Sequence, residues 1–316
     1  MKELQEPMII DAHCHISNET WNPQWWWDTL NVFVPSRYGH SPSQAAELRK
    51  TSWDPTGDTA VRSMDGAGID KAICCVGDFG LVKEDTLTPI EEVNRLTGEM
   101  VRRHPGRMYF NCGVDPRRKN ALAIVERAAR EWGAVGLKLH PAAGWYPNDR
   151  EVYPLYRKCA ELGLHVDFHT GPLYPPLKSK YCYPVHLDDV AADFPELTIQ
   201  CTHAGDLMYM EMVSIAKVRR NIVLDLAAWQ RWVRASRPTA IEFYRVVRFI
   251  LDTLGPRLMF ASDWSGFPDF TPYRDWVKAF TEIPVWVQDA GITFTREEID
   301  GVLGGNALKL LHLDKR

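Results

Sequence analysis

Several absences narrow the field before any motif is considered. None of the seven cysteines stands in a C-x-x-C pair and their number is odd, which argues against a zinc ribbon, a thioredoxin-like redox motif and a disulfide framework. A reducing cytoplasm is the expected home. Cys74 and Cys75, side by side in an apolar run, read as small buried hydrophobes, and no cysteine sits in an obvious electropositive niche for a nucleophile. No stretch approaches the ~20 apolar residues of a membrane span, and no leading segment reads as a signal peptide. Basic surface is lacking too: the net charge is −4, and Arg117-Arg118-Lys119 and Arg219-Arg220 are short runs typical of solvated helix ends. Neither nucleic acid nor membrane is therefore an expected partner. No G-x-G-x-x-G follows the first apolar run, and no G-x-x-x-x-G-K-[ST] occurs anywhere, which disfavours a dinucleotide fold and a P-loop.

What is present is an alternation. Eight short apolar runs recur: Ile9–His15, Ala72–Gly77, Met108–Asp115, Ala134–His140, His165–Thr170, Thr198–His203, Ile222–Ala227 and Leu258–Asp263. Helical spacing fills stretches between them, as in Ala121–Trp132, Val152–Leu162, Met208–Val218 and Ile241–Leu254. Near-continuous apolar strands interleaved with helices indicate a parallel sheet buried on both faces, and eight units predict closure into a (β/α)8 TIM barrel, with an open doubly wound sheet as the competitor. Residues 1–316 are read as one such unit. Two regions break the rhythm. Ser17–Gly57 is a long excursion carrying Trp21, Trp25, Trp26, Trp27, Phe33, Tyr38 and Trp53, suited to a lid or binding wall, or equally to a contact in a homo-oligomer. Thr295-Arg-Glu-Glu298 has the spacing of a capping box and opens a terminal helix in 295–316.

The chemistry of a parallel barrel sits at the carboxyl ends of its strands, and the polar residues collect there. The first run carries His13 and His15, which alternation places on one face with Asp11 below them. The fourth ends in Lys138 and His140, the fifth in His169, the sixth in His203 and the eighth in Asp263. Five of the ten histidines thus fall at the ends of four strands, an arrangement that scattered core histidines would not adopt. An isolated His-x-His is better explained by a solvated strand edge. Three neutral imidazoles plus a carboxylate, however, are the donor set of a catalytic divalent site.

The stretches "DAHCH", "GLKLHP", "HVDFHTG", "CTHAGD", "FASDW" and "GGNALKLL" occur in order over nearly the whole chain. In these the sequence resembles the amidohydrolase superfamily, specifically its amidohydrolase-related branch of metal-dependent hydrolases and decarboxylases. The resemblance implies that His13, His15, His169 and Asp263 hold one divalent metal ion, and that His203 is the catalytic acid or base. Zinc suits three imidazoles, and manganese would accept the same set. The chain also departs from the pattern: His165 stands where a proline is common, and Asp167 replaces an apolar residue. A buried carboxylate needs a partner, so Asp167 is expected to meet Lys138 on the neighbouring strand. The competing expectation is a carbamylated Lys138 bridging two metals.

A divalent ion lowers the pKa of bound water from ~15.7 to ~7, which suits hydrolysis of a small ester, lactone or amide. In that reading His203 moves a proton and Asp263 both holds the ion and orients water. Non-oxidative decarboxylation of an aromatic or unsaturated acid could use the same cage, with an arginine for the substrate carboxylate. Arg37 and Arg231 are candidates. An inactive barrel scaffold is the reading from another class, disfavoured because a scaffold has no need of a proton-transfer histidine. Lys138, His140, the Trp25-Trp26-Trp27 run and Trp229 are the expected pocket residues, their rings favouring a flat cyclic or aromatic small-molecule substrate.

Overall fold

The computed structural model describes residues 7–33, 41–50, 53–264 and 272–315. Arg37 and Tyr38 lie outside them. Eight parallel strands form one sheet in sequential order: β1 (Ile10–Cys14), β2 (Lys71–Cys75), β3 (Met108–Gly113), β4 (Gly136–Leu139), β5 (His165–His169), β6 (Ile199–Thr202), β7 (Ile222–Asp225) and β8 (Leu258–Met259). Helices alternate with the strands. The sheet closes through backbone bonds, Ala12 N–H to Phe260 O at 3.0 Å and Asp263 N–H to His13 O at 2.9 Å, so the architecture is the eight-stranded barrel expected from the alternation. No helix among the described residues is long and apolar enough to cross a membrane.

Period-two alternation sorts the side chains. Outward-facing residues such as Cys74, Phe110, Leu137, Phe168 and Cys201 join the layer packed against the helices, as a sheet covered on both faces requires. The inward-facing residues divide into two layers. At the amino-terminal end Ile10, Ala12, Ile73, Val223, Met259 and Ala261 cluster with Ala307, Leu311 and Leu313 of the terminal segment, which closes that end of the barrel. Gly304 permits the closure, since a Cβ there would stand 2.1 Å from Met8 O. Above this apolar layer the interior is polar, with Asn111, Lys138, His165, Asp167, Gln200 and Thr202 all buried. Gly136 makes room for it, because a Cβ would lie 2.5 Å from both Asn111 Oδ1 and His165 Nε2.

Four sequence expectations change in the structure. Strand β1 is not uniform: its register with β2 slips between Asp11 and Cys14. This bulge reverses the phase of alternation, so Asp11 is separated from the His13 and His15 face. It accepts instead from Ser262 N–H at 2.9 Å and from the hydroxyls of Ser262 and Tyr273. The eighth run, expected as a strand through Asp263, keeps regular pairing only over Leu258–Met259. Beyond it the chain meets the bulged β1 and turns, with Asp263 at φ 61°. The helix predicted for Ala121–Trp132 widens into a π-helical turn over Ala128–Trp132. The capping box forms, with Thr295 accepting from Glu298 N–H and Glu298 from Thr295 N–H. The terminal helix is segmented, containing a π-helical turn at Gly301–Gly305.

Candidate active site

Where β6, β7 and β8 end, His203, Ala228 and Asp263 adopt left-handed backbone, with φ of 68°, 65° and 61°. Non-glycine residues hold such angles only when surrounding bonds over-determine them, and such strain concentrates at functional sites. The bonds are present. His203 N–H donates to Asp225 Oδ1 at 3.1 Å, Trp229 Nε1–H donates to His203 O at 2.7 Å, and Gly205 N–H donates to Thr170 Oγ1 at 2.9 Å.

The bulge aims His13 and His15 into the upper barrel, where their Nε2 atoms lie 3.1 Å apart. Asp263 Oδ1 is 3.6 Å from the first and 3.4 Å from the second. Each ring is oriented by its other nitrogen, His13 Nδ1 by Asp167 Oδ2 at 2.9 Å and His15 Nδ1 by Cys75 O at 2.8 Å. A carboxylate and a carbonyl only accept, so both Nδ1 atoms carry hydrogen and it is the Nε2 atoms that face Asp263. Against the effect of burial, Cys75 and Asp167 raise His13 well above the ordinary imidazole value, so in the metal-free protein its Nε2 carries a proton toward this cluster. Acceptors held this close call for a cation among them, and these three residues form a group spaced to hold a metal ion. Hydrogen bonds and nearby imidazoles outweigh the effect of burial on Asp263 and hold its carboxyl well below the usual range. It is ionised and ready to ligate.

His169 does not join that tight group. Its Nδ1 lies 3.2 Å from His203 Nε2, while its Nε2 is buried with no hydrogen-bond partner. An orphaned imidazole nitrogen at this place fits a ligand awaiting an ion. His203 is oriented by Nδ1–H donating to Ala227 O at 2.9 Å, which leaves its Nε2 able to accept. Burial depresses His140, His169 and His203 below the ordinary imidazole value, so all three are neutral near pH 7. The donor set therefore fits a divalent ion.

A cavity of about 290 Å³ opens above these groups, lined by His15, His140, His169, His203 and Asp263 at its base. Trp26, Trp27, Phe79, Leu173, Tyr174 and Trp229 form walls, with Trp26 stacked on Phe79 at 4.5 Å between ring centroids. Two expected pocket residues do not line it. Successive helical residues point about 100° apart, so within Gln24–Phe33 Trp25 is turned away from the cavity and packs edge-on against Trp26 and Phe79. Lys138 lies one layer below, its Nζ 2.8 Å from Asp167 Oδ1 and 3.0 Å from Thr202 Oγ1. Phe79 and Tyr174 escaped the sequence reading because single aromatics in connecting loops carry no periodic signal. Arg231 lines the cavity from the short helix Gln230–Ala235 rather than from a loop, ion-paired with Asp206.

A closed parallel barrel with a histidine–carboxylate cluster at its carboxyl rim defines the class of metal-dependent barrel enzymes. The amidohydrolase family model matches residues 10–313, and the chain belongs to that family. No curated protein sequence matches it. Among solved structures it is similar to an uncharacterised TIM-barrel protein from Bordetella bronchiseptica, at 22% identity and TM-score 0.71, covering 98% of this chain and 100% of that one. A 5-carboxyvanillate decarboxylase from Novosphingobium aromaticivorans, solved with bound manganese, matches at 16% identity and TM-score 0.68 over 98% of each chain. A probable 2-pyrone-4,6-dicarboxylic acid hydrolase from Acinetobacter baumannii matches at 16% identity and TM-score 0.62, over 96% of this chain and 99% of that one. The protein is thus an enzyme of a superfamily whose members include hydrolases and carboxy-lyases and bind a divalent metal.

Proposed function

We propose that the protein is a metal-dependent hydrolase of a small cyclic or aromatic ester, lactone or amide. His13, His15, His169 and Asp263 would hold one divalent ion, zinc or manganese, which when bound supplies a water of lowered pKa and polarises a carbonyl. Around it this chain's own groups divide the work. His203, with Nδ1–H tied to Ala227 O, offers Nε2 to take a proton from the attacking water and return it to the leaving group. The aromatic walls exclude bulk water and take a flat substrate by stacking.

The observation that favours hydrolysis over decarboxylation concerns charge. Beyond the metal ion itself, a side-chain cation would be expected to seat a substrate carboxylate, and among the described residues lining the cavity the one Lys or Arg is Arg231. Its guanidinium is bound to Asp206, so no free positive side chain faces a substrate carboxylate there, and an uncharged carbonyl compound is the better fit. The test is a screen of aryl esters, lactones, amides and aromatic acids with metal-replete protein, recording proton release, amine release and carbon dioxide release separately. Proton release from neutral esters or lactones, or amine release from amides, supports the proposal. Carbon dioxide release from acids, with no turnover of neutral compounds, overturns it in favour of decarboxylation.

A further inference from the structure

We infer that Asp167 is a positioning residue that fixes His13 in the tautomer able to bind the metal, and that Lys138 is the charge partner that keeps Asp167 an acceptor. The inference rests on the metal reading above and extends it one layer into the barrel. The three oriented imidazoles of the rim are not held alike. His15 and His203 donate Nδ1–H to main-chain carbonyls, Cys75 O and Ala227 O, which no side-chain replacement removes. The stronger Nδ1 contact of His13 is to a side chain, Asp167 Oδ2 at 2.9 Å. Cys75 Sγ and Thr202 Oγ1 stand farther off, each at 3.3 Å, and each can donate as well as accept. Without the carboxylate nothing compels Nδ1 to carry the hydrogen. If the hydrogen moves to Nε2, it occupies the lone pair that faces His15 and Asp263.

The surroundings of Asp167 are built for this task. The β4–β5 register sets Lys138 directly beside it, and both residues are wholly buried. Oδ1 accepts from Lys138 and Thr202, while Oδ2 accepts from His13, Cys75 and Asn111, the last at 3.4 Å. Partners of this kind, one bond behind a metal-ligating histidine, typically alter metal affinity 10–100-fold when replaced. Replacing Asp167 alone would strand the buried Lys138 ammonium and endanger folding. The informative variants therefore change both residues.

The experiment compares the parent with Asp167→Ala/Lys138→Met and with Asp167→Asn/Lys138→Met, which keeps an acceptor. Zinc dissociation constants are measured by chelator competition. The His13 tautomer in metal-free protein is read from ¹⁵N-histidine NMR at a pH raised until the ring is neutral, assigned with His13→Asn. We expect zinc binding weakened about 10–100-fold in the alanine variant, less in the asparagine variant, and a shift of His13 from Nδ1–H toward Nε2–H. Loss of melting temperature alone, with parental zinc affinity and tautomer, would show a structural role and overturn the inference, as would parental zinc binding in a folded alanine variant. If the alanine variant does not fold, Asp167→Leu/Lys138→Met, which also lacks an acceptor but fills more of the space, decides on the same two readouts. Failure of the parent itself to bind zinc or manganese overturns the metal reading instead, and the tautomer measurement still decides what Asp167 does to His13.

Discussion

The two halves of the barrel interior are made by the same eight strands yet are held together by different physics. The lower half is filled by Ile10, Ile73, Val223, Met259 and Ala261 under the terminal segment, where each side chain contributes through shape and area alone. In the upper half almost every inward residue has a specific partner: Lys138 with Asp167, Asp167 with His13, and Gln200 with Asp225. Apolar neighbours can substitute for one another at modest cost, whereas a buried polar group that loses its partner is left with an uncompensated desolvation cost. The lower layer therefore supplies stability that many sequences could supply. The upper layer supplies orientation that few could.

The comparison predicts a graded series of effects. Lys138→Met alone should cost about 3–5 kcal/mol, because it leaves the Asp167 charge buried without its ammonium. Denaturant unfolding should show the Asp167→Asn/Lys138→Met double variant to be clearly more stable than this single one, and equal stabilities would refute the pairing. His15→Ala should leave the fold intact, since the ring is part-exposed, and should lose most of the bound metal by elemental analysis; parental metal content would remove it from the ligand set. Ile73→Val in the lower half should cost only about 0.5–1.5 kcal/mol, with metal content and turnover unchanged. A drop in turnover without a drop in metal would contradict the separation of the two halves.

The smallest effect is expected outside the barrel, where Arg248 bonds Glu298 of the terminal capping box at 2.6 Å. Arg248→Met should cost about 1 kcal/mol or less, as part-exposed pairs do. Arg248 holds the Glu298 carboxyl down to about 2, from an ordinary 4.5. A depressed acid stabilises the fold above its unfolded value and loses that contribution on acidification. The gap between parent and variant in unfolding free energy should persist at neutral pH and close as pH falls from 4.5 toward 2. A gap independent of pH would contradict the pair's role.

The sequence made the barrel legible because eight apolar runs, each flanked by turns, admit few architectures. The Lys138–Asp167 pair was legible too, since two buried opposite charges on adjacent strands must find each other. The bulge in β1 was not. It depends on how β1 meets β8 across the closing seam, a relation 250 residues apart in the chain that leaves no local mark, and so Asp11 was assigned the wrong face. The triple tryptophan misled in part for a simpler reason: a run of identical rings suggests one surface, while the helix turns Trp25 away from the cavity that Trp26 and Trp27 line. Most of the rim histidines were readable from position, but which nitrogen each presents was not, because Cys75 O, Ala227 O and Asp167 Oδ2 are supplied by other strands.

The central claim is that the rim separates ligands from a proton-transfer residue, and turnover of metal-replete His203→Asn tests it most directly. Its main-chain anchors to Asp225 and Trp229 do not depend on the imidazole, so the fold and the four proposed ligands should remain. The account predicts one retained ion per chain with turnover reduced by roughly 10²–10⁴, the share that positioned proton transfer contributes. A variant that is fully active with its ion in place, or one that loses its ion in step with its activity, would contradict it.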